Sequence, residues 1–170
     1  MNIRQVQKED YDAIYEFVRV AFKTAPVSDG DEQDYVLKWR AGENYIPELD
    51  FIVEENGEII GHLMLQKLKV YTPQGVYLGL MVAPLSVKLE HRKKGIGTKL
   101  MAASFEKAKA LGYTSVFLAG DPAYYSKFGF KEIGAFGLEN KTKVPNQYVL
   151  GCEIVKGSLE GVKGFIDSLK

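Results

Sequence analysis

The chain has 170 residues, 22 basic and 22 acidic side chains and no net charge, with 46% apolar and 26% charged residues. That length suits a single domain with a sizeable core. The neutral balance gives no reason to expect nucleic acid or an anionic membrane as a partner, so any anion site must be local. One cysteine excludes an intrachain disulfide, and with only two histidines beside it no zinc site or other metal centre is expected. MNIRQVQKED at the N-terminus has no apolar run, and no stretch reaches membrane-spanning length, so no leader, no membrane span and a cytoplasmic location are expected.

Ile3–Gln7 is expected to form a short first strand. Tyr11, Ile14, Tyr15, Val18 and Phe22 then recur at the spacing of one helical face. Glu9, Asp10 and Asp12 place negative charge on the first turn, where the helix dipole favours it. After a break at Pro26–Gly30, Asp29–Arg40 predicts a second, more polar helix. Phe51 to Ile60 reads as a hairpin about Asn56-Gly57, a pair that accepts the left-handed conformations of a tight turn. Pro73-Gln-Gly75 predicts another turn, followed by a strand from about Tyr77 to Val87. Met101, Phe105, Ala108 and Leu111 give a helical face that Gly112 stops. Thr114–Ala119 predicts a strand, Pro122–Phe128 a short helix and Tyr148–Val155 a late strand. Strand–helix–strand around a glycine pair, with hairpins elsewhere, predicts an α/β or α+β domain with a mixed sheet.

The stretch H-R-K-K-G-I-G-T-K-L, His91–Leu100, puts cations and two glycines at the mouth of a helix. A helix N-terminus leaves backbone N–H groups unpaired and carries partial positive charge. Glycines let an anion approach that backbone, which is the general recipe for a phosphate site. Arg92, Lys93, Lys94 and Lys99 add charge around it. An ordinary strand–helix connection with a solvated basic face fits these residues equally well. There is no Gly-Lys-Ser/Thr ending, so this is not a nucleotide P-loop. Leu100 stands where a dinucleotide fingerprint has its third glycine.

The longer run L-S-V-K-L-E-H-R-K-K-G-I-G-T-K-L, Leu85–Leu100, resembles the acyl-CoA signature of the GNAT family of N-acetyltransferases. That signature is Arg/Gln-x-x-Gly-x-Gly/Ala after a strand, matched by Arg92, Gly95 and Gly97. The family's later Tyr-x-x-x-Gly-Phe segment is matched by Tyr125, Gly129 and Phe130. The stretch G-D-P-A-Y-Y-S-K-F-G-F, Gly120–Phe130, is similar to the YhbS-like bacterial branch. The resemblance implies a mostly antiparallel central sheet flanked by helices, with splayed central strands, as one domain over residues 1–170. Residues 156–170 form an extension without an assigned role. It also implies acetyl-CoA as cosubstrate, no metal, and transfer of acetyl to an amine. The backbone at Leu85, Ser86 and Val87 would hold the pantetheine arm and polarise the thioester. The N–H groups of Arg92, Lys93, Lys94, Gly95, Ile96, Gly97 and Thr98 would hold the pyrophosphate. Tyr125 would protonate the leaving thiolate. Family members are commonly dimeric, which leaves a homodimer open.

One departure stands out. Many members carry Glu or His on the central strand, four or two residues before the Leu85 position, and this chain has Met81 and Ala83 there. Neither can titrate, so no base carries over. Asp31, Glu32, His62 and Asp121 are the remaining candidates, with a water chain to solvent as another route. His62 reads more simply as a packed or surface histidine, Cys152 as inert core, and Asp121 as the cap of the helix that starts at Pro122. Tyr35 and Trp39 read as core aromatics. The missing strand base keeps a rival open, a CoA-binding sensor that turns nothing over. Thr24–Leu49 is expected to wall the acceptor, and its Asp29, Asp31, Glu32, Asp34, Glu43 and Glu48, with Asp50 beside it, would attract a cationic amine.

Overall fold

Asn56 and Gly57 both take left-handed backbone conformations, with φ of 53° and 76°, and close the hairpin that the Asn-Gly pair predicts. Its arms are longer than expected: β2 spans Tyr45–Glu55 and β3 spans Glu58–Thr72. The computed structural model describes residues 1–25 and 28–170, so Pro26 of the expected break lies outside the described residues. The described residues group into two compact units, Met1–Gln66 with Ala83–Lys107, and Lys67–Val82 with Ala108–Lys170.

In the first unit β1, Asn2–Gln5, pairs antiparallel with β2, Ile3 opposite Val53. β2 in turn pairs antiparallel with β3, Phe51 opposite Leu63. α1, Tyr11–Phe22, buries Ile14, Val18 and Ala21, while Tyr11, Tyr15 and Phe22 flank that stripe half-buried. Asp10 accepts the Gln7 N–H at 2.7 Å and pairs with Arg4 at 2.8 Å, and Arg4 also meets Glu54 at 2.6 Å. These contacts tie the entry of α1 to the first two strands. α2, Glu32–Arg40, starts three residues later than the sequence suggests. Gly30 is left-handed there, with φ of 84°, and no right-handed helix runs through such a residue. α3, Ile96–Ala110, lies close against β3. A Cβ on Gly61 would stand 2.9 Å from Ile96 Cγ2 and 3.0 Å from Leu100 Cδ1, so only glycine allows this approach. The buried face of α3 includes Leu100, Met101 and Ser104, whose hydroxyl donates to the Met101 carbonyl at 2.9 Å, while Phe105 is half-buried.

The same unit holds a buried charge cluster. Asp50 has no exposed surface. Its Oδ2 accepts Arg40 Nε at 3.0 Å and the Tyr45 hydroxyl at 2.9 Å, and its Oδ1 faces His62 Nε2 at 2.8 Å. Burial by itself would raise the Asp50 pKa. The hydrogen bond and charge of His62, followed by those of Arg40, reverse this and hold the carboxyl below its ordinary range. Burial, then the charge of Asp50, pushes the Tyr45 phenol up. The Arg40 guanidinium also stacks over the Tyr11 ring, 4.3 Å from its centroid.

In the second unit β4, Gly75–Val87, contributes its residues up to Val82 and pairs parallel with β5, Ser115–Ala119, at Leu80–Val116 and Met81–Phe117. From Ala83 on, β4 belongs to the first unit. β5 also pairs antiparallel with β8, Val149–Glu153, which carries β6, Lys131–Glu132, on its other side. α4, Pro122–Tyr125, follows β5 and runs into a 3-10 turn, Ser126–Phe128. Leu111, expected to complete the face of α3, lies past the end of that helix and is exposed. Gly112, with φ of 92°, and a Tyr113 N–H bond to the Ala108 carbonyl close the helix. The C-terminal residues supply β9, Phe165–Ile166, which pairs parallel with β7, Glu139–Asn140, and antiparallel with β3 at Tyr71. The architecture is the expected α+β one, a mixed, mostly antiparallel sheet flanked by helices. Among the described residues no helix is long and apolar enough to cross a membrane.

The Asp50 cluster makes stability depend on acid. A carboxylate with a lowered folded pKa contributes stability above its unfolded value, about 3.9, and loses it as pH falls through the folded value. Asp50→Asn should cost roughly 3–5 kcal/mol at pH 7, because Arg40 is left buried without its counter-ion. It should also shrink the difference in urea-unfolding free energy between pH 7 and pH 3. An unchanged difference in the variant would show that other carboxylates carry the acid dependence.

Candidate active site

The last residues of β4 lead into the turn that opens α3, and all of these lie in the first unit. Leu85 and Val87 are half-buried, and Ser86 is buried with its hydroxyl unpartnered among the described residues. A 3-10 turn, Leu89–His91, follows. The backbone donors can then be counted. His91 N–H goes to the Lys88 carbonyl at 2.9 Å and Arg92 N–H to the Leu89 carbonyl at 3.2 Å. Lys99 N–H goes to the Gly95 carbonyl at 3.0 Å, the opening bond of α3. Between them, the six N–H groups of Lys93 through Thr98 find no acceptor among the described residues. Lys93 and Gly95 are both left-handed, with φ of 62° and 81°. Left-handed residues next to right-handed ones are the backbone pattern of anion-binding nests, and here they stand directly before a helix N-terminus. A non-glycine residue held left-handed is uncommon, and such conformations cluster at functional sites.

The cations of the turn divide into two groups. The side chains of Lys93, Lys94 and Lys99 are exposed and make no hydrogen bond or ion pair among the described residues. The others are engaged: Lys88 pairs with Glu58 and His91 with Glu55. Arg92, expected to add free charge at the mouth of the helix, is also engaged. Its fork bonds the Ala21 carbonyl, Thr24 Oγ1 and the Val87 carbonyl at 2.8–3.1 Å, and its N–H is the one taken by Leu89. The sequence pattern contains no signal for these contacts, because their partners lie up to 71 positions away.

Tyr125 lies in the second unit, on α4. Asp121 caps that helix by accepting the Ala123 N–H at 2.9 Å, and its carbonyl takes the Tyr125 N–H at 3.1 Å. The Tyr125 ring meets Tyr124 edge-on with centroids 4.9 Å apart, and Phe130 at 5.8 Å. Burial, then Tyr124, pushes the Tyr125 phenol well up, so it stays protonated at neutral pH. Its hydroxyl has no hydrogen-bond partner among the described residues. Tyr124 is exposed, with Lys127 Nζ 4.1 Å from its ring centroid. Gly120 makes room for Tyr125: a Cβ there would sit 2.7 Å from Tyr125 Cε2. That glycine stands in the quoted motif, but only the packing shows its use.

The candidate bases stand on different elements. Asp121 serves as a cap, and His62 is enclosed against Asp50. Met81 and Ala83 are buried and cannot titrate. Asp31 and Glu32 open α2, and each has one enclosed carboxylate oxygen without a partner among the described residues. Beside them lies a cavity of about 540 Å³ lined by Arg19, Phe22, Lys23, Asp29, Glu32, Gln33 and neighbouring residues. The thiol of Cys152 is pushed up to about 11, by burial and then Glu153, and is unreactive. Among the described residues no cluster of three or more His, Cys, Asp or Glu side chains could hold a metal ion.

A donor-rich turn at the mouth of α3, following a strand end in a mixed sheet, agrees with the match to known proteins. Residues 2–133 match the acetyltransferase (GNAT) domain family, and the chain belongs to that family of acyltransferases. The chain is 25% identical over 114 residues to the uncharacterized N-acetyltransferase YhbS of Escherichia coli, covering 67% of each chain. The crystal structure of the E. coli YhbS protein, in complex with CoA, superposes with a TM-score of 0.83 at 23% identity, over 97% of this chain and 87% of that one. A GNAT family acetyltransferase from Brucella melitensis, in complex with acetyl-CoA, superposes with a TM-score of 0.69 at 27% identity, over 76% and 82% of the two chains.

The placement of Tyr125 is open to test. Gly120→Ala should force the ring aside and cost about 1–3 kcal/mol in urea unfolding, the usual penalty for overpacking. Gly134→Ala is the control, since a Cβ there meets nothing within 4 Å. Equal stability of the two variants would show that Gly120 is not needed to seat Tyr125.

Proposed function

We propose that the protein, acting as one acetyltransferase domain, moves an acetyl group from acetyl-CoA directly to a primary amine of a small molecule or peptide. The observation that supports this most is the run of six unpaired N–H groups from Lys93 to Thr98. The pyrophosphate of CoA would sit there, with Lys93, Lys94 and Lys99 as surrounding charge. Among the solved relatives, the Brucella protein holds acetyl-CoA and YhbS holds CoA. The backbone of Leu85, Ser86 and Val87 would lie along the pantetheine arm and the thioester. Pro84 has no N–H and so contributes no ladder donor where the strand approaches these residues.

In the reaction the amine nitrogen attacks the thioester carbon and the carbonyl oxygen becomes an oxyanion, which preorganised N–H donors stabilise. The C–S bond then breaks and CoA leaves as a thiolate, of ordinary pKa about 8.5. Tyr125 would donate its phenolic proton to that sulfur. Apolar surroundings raise thiols as well as phenols, so donor and acceptor shift in the same direction. The amine's own proton has no base on β4. The cavity between the end of α1 and the start of α2 carries Asp29 and Glu32 beside Arg19 and Lys23, and its two carboxylates are the groups that would meet a cationic amine. The absence of a titratable group at Met81 and Ala83 favours one alternative, a CoA-binding sensor. Turnover of acetyl-CoA that depends on added amine separates the two.

Acetyl-CoA at one hundred times its Kd should stabilise the protein by about 2.7 kcal/mol. Gly97→Val should remove most of the accompanying rise in Tm, by blocking backbone approach without deleting charge. Equal shifts in wild type and variant would rule out the anion turn.

Tyr125→Phe keeps the ring and deletes the donor. It should lower kcat by roughly 10²-fold with little change in acetyl-CoA affinity, while Tyr124→Phe loses much less. The reverse ranking would assign the proton to Tyr124.

A further inference from the structure

In a phosphate-binding turn an arginine is expected to face the anion, yet the Arg92 fork is spent on protein. Nη2 donates to the Ala21 carbonyl at 2.8 Å, Nη1 to Thr24 Oγ1 at 2.9 Å, and Nε to the Val87 carbonyl at 3.1 Å. Ala21 is in the last turn of α1, where carbonyls lack intrahelical donors and the helix dipole favours a cation. Thr24 folds its own hydroxyl onto the same carbonyl at 3.3 Å. The turn ends with Lys23 N–H on the Val20 carbonyl and Ala25 N–H on the Phe22 carbonyl, both at 3.2 Å. Arg92 therefore caps α1 from outside. On its other side the chain passes directly into Lys93, the first of the six free N–H groups. One side chain bridges the strand end at Val87, the anion turn, and a helix end whose Arg19, Phe22 and Lys23 line the cavity.

We propose that Arg92 is a positioning residue: it transmits occupancy of the anion turn to the end of α1, so that CoA loading sets the wall of the acceptor cavity, and it is not a ligand of the pyrophosphate. This rests on the reading of the turn as the CoA phosphate site. An anion bound to the N–H groups fixes the backbone from Lys93 onward, and with it the origin of the Arg92 side chain. A fork held at its base holds its acceptors more rigidly, and the last turn of α1 follows. By linkage, whatever orders that helix end also favours CoA.

Hydrogen exchange resolved to single amides, with CoA as the probe, tests the proposal. In wild type, CoA should slow exchange at Lys23 and Ala25 by about tenfold. In Arg92→Gln, the Kd for CoA should stay within about threefold of wild type while that protection disappears. Thr24→Val removes one acceptor and leaves the guanidinium, and should lose part of the protection. A loss of CoA affinity of about thirtyfold in Arg92→Gln, or protection that survives the substitution, would overturn the proposal. Without CoA, Arg92→Gln should already exchange faster than wild type at the same two amides, and equal rates would also overturn it. Failure of wild type to bind CoA overturns the phosphate-site reading, and the coupling proposal that rests on it, while leaving the capping contact to be judged by the ligand-free rates.

Discussion

Six consecutive backbone N–H groups without acceptors are tolerable only where water or an anion can reach them. The residues around the mouth of α3 serve to keep that row open and in place. Gly61 lets Ile96 and Leu100 seat the first turns of the helix hard against β3, so the helix axis is set by core packing. Lys93 and Gly95 hold the turn in left-handed conformations. The Arg92 fork ties the turn to two neighbouring segments.

The distribution of charge follows from the same economy. The chain is neutral overall, so positive potential at the mouth of α3 is a local matter of which cations stand there and which are engaged. Arg4, Arg19, Arg40 and Lys88 each meet a carboxylate. Lys93, Lys94 and Lys99 are exposed and meet none among the described residues. The buried Arg40–Asp50–His62 cluster shows the cost of taking such groups out of water: burial alone would raise the Asp50 carboxyl, and His62 and Arg40 offset it. That cluster joins the end of α2 to β2 and β3, and so fixes the base of the segment that borders the cavity.

Much of the fold was legible in one dimension because it is local. The Asn56-Gly57 turn, the stripe of α1, the stop at Gly112 and the Asp121 cap each depend on residues within a few positions of one another. Two of the differences concern helix ends. Gly30 delays α2, and Leu111 falls outside α3, because the end of a helix depends on backbone conformation that composition does not report. The C-terminal residues were silent, since a two-residue strand such as β9 is recognised only through its partners.

The sequence alone determined the family, the glycine-bearing turn and the tyrosine motif, since each is a pattern of residue types at short fixed spacing. It also excluded a titratable group at Met81 and Ala83. Tertiary structure decided which charges are free, where Arg92 points, why position 120 must be glycine, and that His62 is enclosed with Asp50. The contacts that matter most join residues far apart in the chain, from 12 positions for Asp50 and His62 to 71 for Ala21 and Arg92. A hydrogen bond or a steric contact is set by distance in space, and residue types at long separation carry no record of that distance until the chain has folded.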